Sequence, residues 1–216
     1  LSRAKLYVQL NMMSEASADL NKAVNLAPDD SRILNTMAFI ENRDGEVGSA
    51  LGYLKQALSN NPDYFEAQLQ QANILREQGD LLNALFDYNQ LLTRDTSDSE
   101  IYVNRGVVLG AIDSIESALA DFERAYFLDS NNIQAINNLG LANLQLGNFE
   151  ESIFWFQKAL NQDANNVFCN DKMAVAYIRV GNLQKAKEHL LKIENQGGYE
   201  ARVSSRLGMI AFEEKD

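Results

Sequence analysis

Cysteine and histidine occur once each in the 216 residues, and proline only twice. A single cysteine closes no internal disulfide, and one histidine with one cysteine is too few soft ligands for a structural zinc site. No apolar run approaches the ~20 residues that span a bilayer. The first thirty residues also lack the basic start and apolar stretch of a secretory leader. The chain reads as soluble, in the cytoplasm or the periplasm. Phosphate-cradling glycine loops, dinucleotide fingerprints and helical metal-binding histidine pairs are missing too, so no catalytic, cofactor-binding or metal residue is assigned. Positive charge is scarce: 19 Lys and Arg stand against 30 Asp and Glu, a net −11. That balance excludes a general nucleic-acid binder, which needs a basic face to displace phosphate counterions.

What is present is 46% hydrophobic and 23% charged residues, a composition that folds. The charge deficit is confined to one part of the chain. Residues 1–166 hold 11 Lys and Arg against 23 Asp and Glu, whereas residues 167–216 hold 8 against 7.

Small residues recur every 34 positions, as Ala4, Ala38, Ala72, Gly106, Gly140, Ala174 and Gly208, without insertion or deletion. A second small column holds Ala16, Ala50, Ala84, Ala118, Ser152 and Ala186; a third, mostly small, holds Ala23, Ala57, Leu91, Ala125, Ala159 and Ile193. Between them runs a bulky apolar column, Leu20, Leu54, Tyr88, Phe122, Phe156 and Leu190, spaced i, i+4, i+7 with its neighbours as on one helix face. Each unit is therefore two helices around a turn. Gly45, Gly79, Gly147 and Gly181 sit at that turn, where a left-handed cap suits glycine. Small side chains let two helices approach closely while the bulky column fills the space beside them.

These columns, with Leu139-Gly140, Gly147-Asn148-Phe149, Phe156 and Lys158-Ala159-Leu160 of residues 133–166, and with Pro28 and Pro62 at position 32, resemble the tetratricopeptide repeat family. The resemblance implies an all-α fold: an α-solenoid, wound as a right-handed superhelix, of 34-residue helix-turn-helix repeats with about thirteen helices. The expected division is one solenoid over 1–216. It holds a partial repeat 1–30, repeats 31–64, 65–98, 99–132, 133–166 and 167–200, and a partial repeat 201–216. Both ends fall inside a repeat, so the segment reads as part of a longer chain. Leu207, Met209, Ile210 and Phe212 leave its last helix apolar on several sides, which suggests neighbouring repeats, a partner or self-association there.

The resemblance further implies that first helices line an inner groove through positions 2, 5, 6, 9, 12 and 13 of each repeat. Polar amides recur in those columns, at Asn35, Gln70, Asn73, Asn104, Asn137 and Asn138. An amide both donates and accepts, so such a ladder can hold the backbone of an extended peptide. Beside them stand Phe39, Leu69, Val103, Val107, Leu141, Leu144, Val175 and Ile178, a candidate apolar floor. Lys172, Arg179, Arg202 and Arg206 make the C-terminal end basic, fit for an acidic or carboxylate-bearing ligand. The preceding columns depart from the family's chaperone-tail clamp.

The remaining reactive side chains have structural readings. Arg3 with Asp19, and Arg105 with Asp121, occupy positions 7 and 23 and are expected to pair within their repeats. His189 and Trp155 share position 23 as packing residues, and Cys169 reads as a small helical residue. The carboxylate pairs Asp29-Asp30, Glu150-Glu151 and Glu213-Glu214 read as solvated or capping groups. The function expected is a non-enzymatic protein-interaction scaffold. Two alternatives are the recruiting arm of a larger enzyme such as a glycosyltransferase, and a bacterial envelope assembly or secretion factor.

Overall fold

The computed structural model describes residues 1–213; the side chains of Phe212 and of the Glu213-Glu214 pair, and the end of the last partial repeat, lie outside the described residues. Among these residues there are thirteen helices and no strand. They divide into two compact units, Leu1–Thr96 and a second that begins at Ser97. The first holds α1 (Ser2–Gln9), α2 (Met13–Leu26), α3 (Ser31–Arg43), α4 (Val47–Asn60), α5 (Phe65–Glu77) and α6 (Leu81–Arg94). The second holds α7 (Ser99–Ala111), α8 (Ile115–Leu128), α9 (Ile133–Leu146), α10 (Phe149–Leu160), α11 (Val167–Arg179), α12 (Leu183–Glu194) and α13 (Glu200–Glu213). Within each unit a helix packs on the next, and first helices touch across repeats: α3 on α5, and α7 on α9, α9 on α11, α11 on α13.

The turns inside the pairs are built alike. Asn11, Gly45, Gly79, Asp113, Gly147 and Gly181, 34 residues apart, all have positive φ, between 61° and 88°. The following amide closes a bond to the carbonyl five residues back, as from Glu46 to Glu41 (2.8 Å), Ser114 to Leu109 (2.9 Å) and Asn148 to Asn143 (2.9 Å). This left-handed cap takes up carbonyls that the helix end would otherwise leave unsatisfied. The next first helix starts on a side-chain cap in four repeats: Asp30 accepts from Arg32 N, Asp98 from Glu100 N, Asn132 from Gln134 N and Ala135 N, and Asn166 from Cys169 N.

The small and bulky columns meet in the core. Ala4 packs with Leu20, Ala38 with Leu54 and Ala174 with Leu190, all at most 1% exposed. Opposite Phe122 and Phe156 the small residue shrinks to glycine. A Cβ on Gly106 would lie 2.5 Å from Phe122 Cε1, and one on Gly140 would lie 2.7 Å from Phe156 Cε1. The ring of each phenylalanine occupies the volume of the missing methyl, so residue size sets the approach of the two helices.

Both expected intra-repeat ion pairs form, through the same atoms. Nε of Arg3 and of Arg105 donates to Oδ2 of Asp19 and Asp121 at 2.5 and 2.8 Å, and each Nη2 donates to Oδ1 at 2.6 Å.

Candidate partner-binding face

In the second unit the first helices α7, α9, α11 and α13 lie side by side, and a cavity of about 210 Å³ opens between α7 and α9. Its cause is the pair Gly106 and Gly110, one turn apart on α7. Without side chains there, the wall recedes to Phe122 and Ala118 of α8, while Val107, Asn138, Leu141, Ala142 and Gln145 form the rim and sides. Gly106 is already filled from behind by the Phe122 ring, but a Cβ on Gly110 would meet only Ala118 Cβ at 3.9 Å, an ordinary contact. Three residues expected from the sequence, Val107, Asn138 and Leu141, thus converge on one concavity. Gly110 went unremarked in the sequence reading, and its signal was the glycine pair at i, i+4.

Two apolar residues expected on this face are core instead. Val103 is 2% exposed, covered by Ala125 and Ala135 with Tyr102 and Tyr126, because the small Ala135 lets α9 close over it. Ile178 is 3% exposed and packs with Ala174, Ala186 and Leu190. Leu144 and Val175 are half-buried, as are Asn104 and Asn137. Asn137 Oδ1 accepts from Cys169 Sγ at 3.2 Å, tying α9 to α11. Burial pushes the Cys169 thiol up to about 11, which keeps it protonated as that donor.

The cations of α11 and α13 do not act as one cluster. Arg206 is engaged: its Nε and Nη2 donate to Oδ1 and Oδ2 of Asp171 at 2.9 and 3.2 Å, and Asp171 is buried on α11. The sequence reading missed this pair, which joins position 5 of one repeat to position 6 of the next, the two positions that a neutral amide bond, Gln70 to Asn35, links in the first unit. Lys172 lies over the Phe168 ring and 3.8 Å from Asp171. Arg179 and Arg202 are exposed, the latter beside the Tyr199 ring.

In the first unit α3 and α5 carry the corresponding residues. Phe39 is 42% exposed; Asn35 and Leu69 are half-buried. With its amide turned to suit its neighbours, Gln70 donates to Asn35 Oδ1 at 2.9 Å and accepts from Phe39 N at 2.8 Å. Asn73 accepts from the hydroxyl of the fully buried Tyr88 at 2.6 Å, and burial pushes that phenol up to about 12. Asn35, Gln70 and Asn73 therefore hold their own helices together as well as lining a face.

Among the described residues no group of three or more His, Cys, Asp or Glu gathers where it could hold a metal ion, and no helix is long and apolar enough to cross a membrane. Tetratricopeptide repeat profiles match residues 1–30, 43–100 and 133–166, together more than half of the sequence. The chain belongs to the tetratricopeptide repeat family. No curated protein matches the sequence significantly. Among solved structures, Pseudomonas aeruginosa PilF is similar with a TM-score of 0.84 at 14% identity, covering 96% of this chain and 94% of that one. A tetratricopeptide repeat protein from Parabacteroides merdae gives 0.77 at 20% identity, covering 99% and 85%. YrrB, described as a repeat protein with an unusual peptide-binding site, gives 0.73 at 19%, covering 91% and 98%. These tetratricopeptide neighbours share the helical-hairpin fold, and membership of the family makes this chain a protein-interaction scaffold.

Proposed function

We propose that this tetratricopeptide protein works without catalysis by holding an extended segment or helix of a partner protein on the face made by its first helices. The observation that carries this reading is the cavity at Gly110, which adjoins Asn138 and Gln145. It offers an apolar side chain a place beside amides suited to a partner's backbone. YrrB, with the same fold, is described as having a peptide-binding site, which supports the reading by analogy only. At the α11–α13 end, Lys172, Arg179 and Arg202 favour an acidic stretch of the partner. Arg206, engaged with Asp171, contributes through position and not as an open cation.

Gly110→Leu tests this directly. The added side chain enters open space, and replacing glycine inside a helix favours the fold by ~1 kcal/mol, so the variant remains folded. Peptides selected from a random displayed library on the wild-type chain are expected to lose at least tenfold in affinity for Gly110→Leu. Undiminished binding of every selected peptide would remove the proposal. Arg202→Glu should weaken the acidic members of the selected set at low salt and leave neutral ones unchanged.

A further inference from the structure

Position 23 holds aspartate in three repeats, as Asp19, Asp87 and Asp121. Two of them face an arginine at position 7, and the third does not. Opposite Asp87 stands Gln71, whose Nε2 donates to Asp87 Oδ2 at 2.8 Å. That is the oxygen that arginine Nε occupies in the other two repeats. The second half of the fork, the Nη2 bond to Oδ1, has no equivalent among the described residues. Yet Asp87 is 6% exposed, nearly as buried as Asp121 at 5%. A carboxylate this buried is ordinarily matched by a cation, because one neutral amide does not offset the cost of desolvating its charge.

The carboxylate also borders open space. A cavity of about 450 Å³ lies among α4, α5 and α6, lined by Asp87, Gln71, Leu51, Leu75, Phe86 and Lys55. Phe86 is 61% exposed, an aromatic face standing beside the buried acid. Elsewhere in this chain a guanidinium is held by that combination: Arg105 grips Asp121 while its Cζ lies 5.6 Å from the Tyr102 ring centre. Leu51 and Leu75 supply an apolar wall for the methylenes of a long side chain. Lys55, though at the rim, forms no ion pair with Asp87 among the described residues.

We propose that this cavity is a second docking site, separate from the first-helix face, which receives an arginine side chain of a partner polypeptide. The incoming guanidinium completes at Asp87 the fork that Arg3 and Arg105 complete from within. Arginine fits better than lysine because the open oxygen and the aromatic face together suit a planar, multidentate cation. The net charge of −11 draws basic segments to the molecule.

The test uses Nα-acetyl-arginine amide as the probe, followed by amide shifts in NMR spectra of the whole chain. Saturable shifts are expected around α4–α6, with the lysine analogue at least fivefold weaker and the norleucine analogue without effect. Asp87→Asn should reduce the affinity at least tenfold. Gln71→Arg should abolish the site while raising Tm, since the fork is then closed internally, and Lys55→Met should leave binding intact or stronger. A hexapeptide with arginine between leucines should bind more tightly than the amide. No saturable shift in the wild type, equal binding by Asp87→Asn, or binding that survives Gln71→Arg would each overturn the site. A hexapeptide no tighter than the amide would overturn the polypeptide as its source. None of these outcomes depends on Gly110, so this site and the first-helix face stand or fall separately.

Discussion

A single methyl group separates the leucine from the phenylalanine version of the helix pair, while Tyr88, whose hydroxyl donates to Asn73, shares its repeat with Ala72. Where the bulky column carries leucine, the opposing small residue is alanine; where it carries Phe122 or Phe156, the residue is glycine. Gly140→Ala puts a Cβ 2.7 Å from a ring that is itself fully buried, and overpacking of this kind costs ~1–3 kcal/mol. Phe156→Leu alone leaves a void, with a cost of similar size. The double variant restores the alanine–leucine pairing of Ala38 with Leu54, so its destabilisation should be smaller than the sum of the two. A denaturant-melt double-mutant cycle measures this. Strict additivity would show that the glycine is there for some reason other than the ring. Residue size was legible in the sequence because it repeats. The Arg206–Asp171 pair, the Gln71 substitution opposite Asp87 and the burial of Val103 were not. Each depends on which neighbour a side chain meets in one particular repeat, and a column of letters averages that away.

At the scale of the helix pair, the recurring element is the left-handed cap. Six turns adopt it, and four do so with glycine. At Asp113 (φ 63°) an L side chain sits in a conformation that costs ~1–2 kcal/mol. Asp113→Gly relieves most of this and loses some of the gain to the freedom of glycine in the unfolded chain, ~0.4–1 kcal/mol. A net stabilisation of about 0.5 kcal/mol is expected. Gly147→Ala is the converse experiment. Its Cβ would meet nothing closer than Phe149 Cζ at 4.0 Å, so the expected loss of ~1–2 kcal/mol comes from the backbone alone. Opposite signs at equivalent positions, read from thermal melts, are the diagnostic, and equal signs would refute the shared cap. The glycine turns could be read from the sequence because glycine announces positive φ. Asn11 and Asp113 hold the same conformation and became visible only through the 34-residue register; among the capping residues, Asp30 was legible as a capping carboxylate, whereas Asp98, Asn132 and Asn166 were not singled out.

For the molecule as a whole, repeats couple chiefly to their neighbours, so a perturbation in one unit is felt there first. Two buried groups give the units opposite responses to acid. In the second unit His189 is 8% exposed, stacked on Tyr177 at 5.6 Å, with Nδ1–H donating to Asn170 Oδ1 at 2.8 Å. Asn170 is itself oriented by its amide nitrogen, which donates to the carbonyls of Ala164 and Asn166. Burial, reinforced by Lys192 and Lys185 and opposed by Glu188, lowers the imidazole from 6.5 to about 4. The folded unit thus binds the proton more weakly than the unfolded chain does. Stability supplied by the neutral ring is fully present above about pH 6.5 and drains away as pH falls toward 4, by up to ~3 kcal/mol. In the first unit burial raises the Asp87 carboxyl above its ordinary 3.8. Its contribution has the other sign, complete below that value and lost as pH rises through the folded one. Acidification from pH 6.5 toward 4 should therefore speed amide hydrogen exchange in α11 and α12 while leaving α5 and α6 unchanged or slower. His189→Gln should flatten the response of α11 and α12, and Asp87→Asn that of α5 and α6. Parallel acid sensitivity in both units, persisting in His189→Gln, would mean that general charge repulsion governs the response and that the buried imidazole does not.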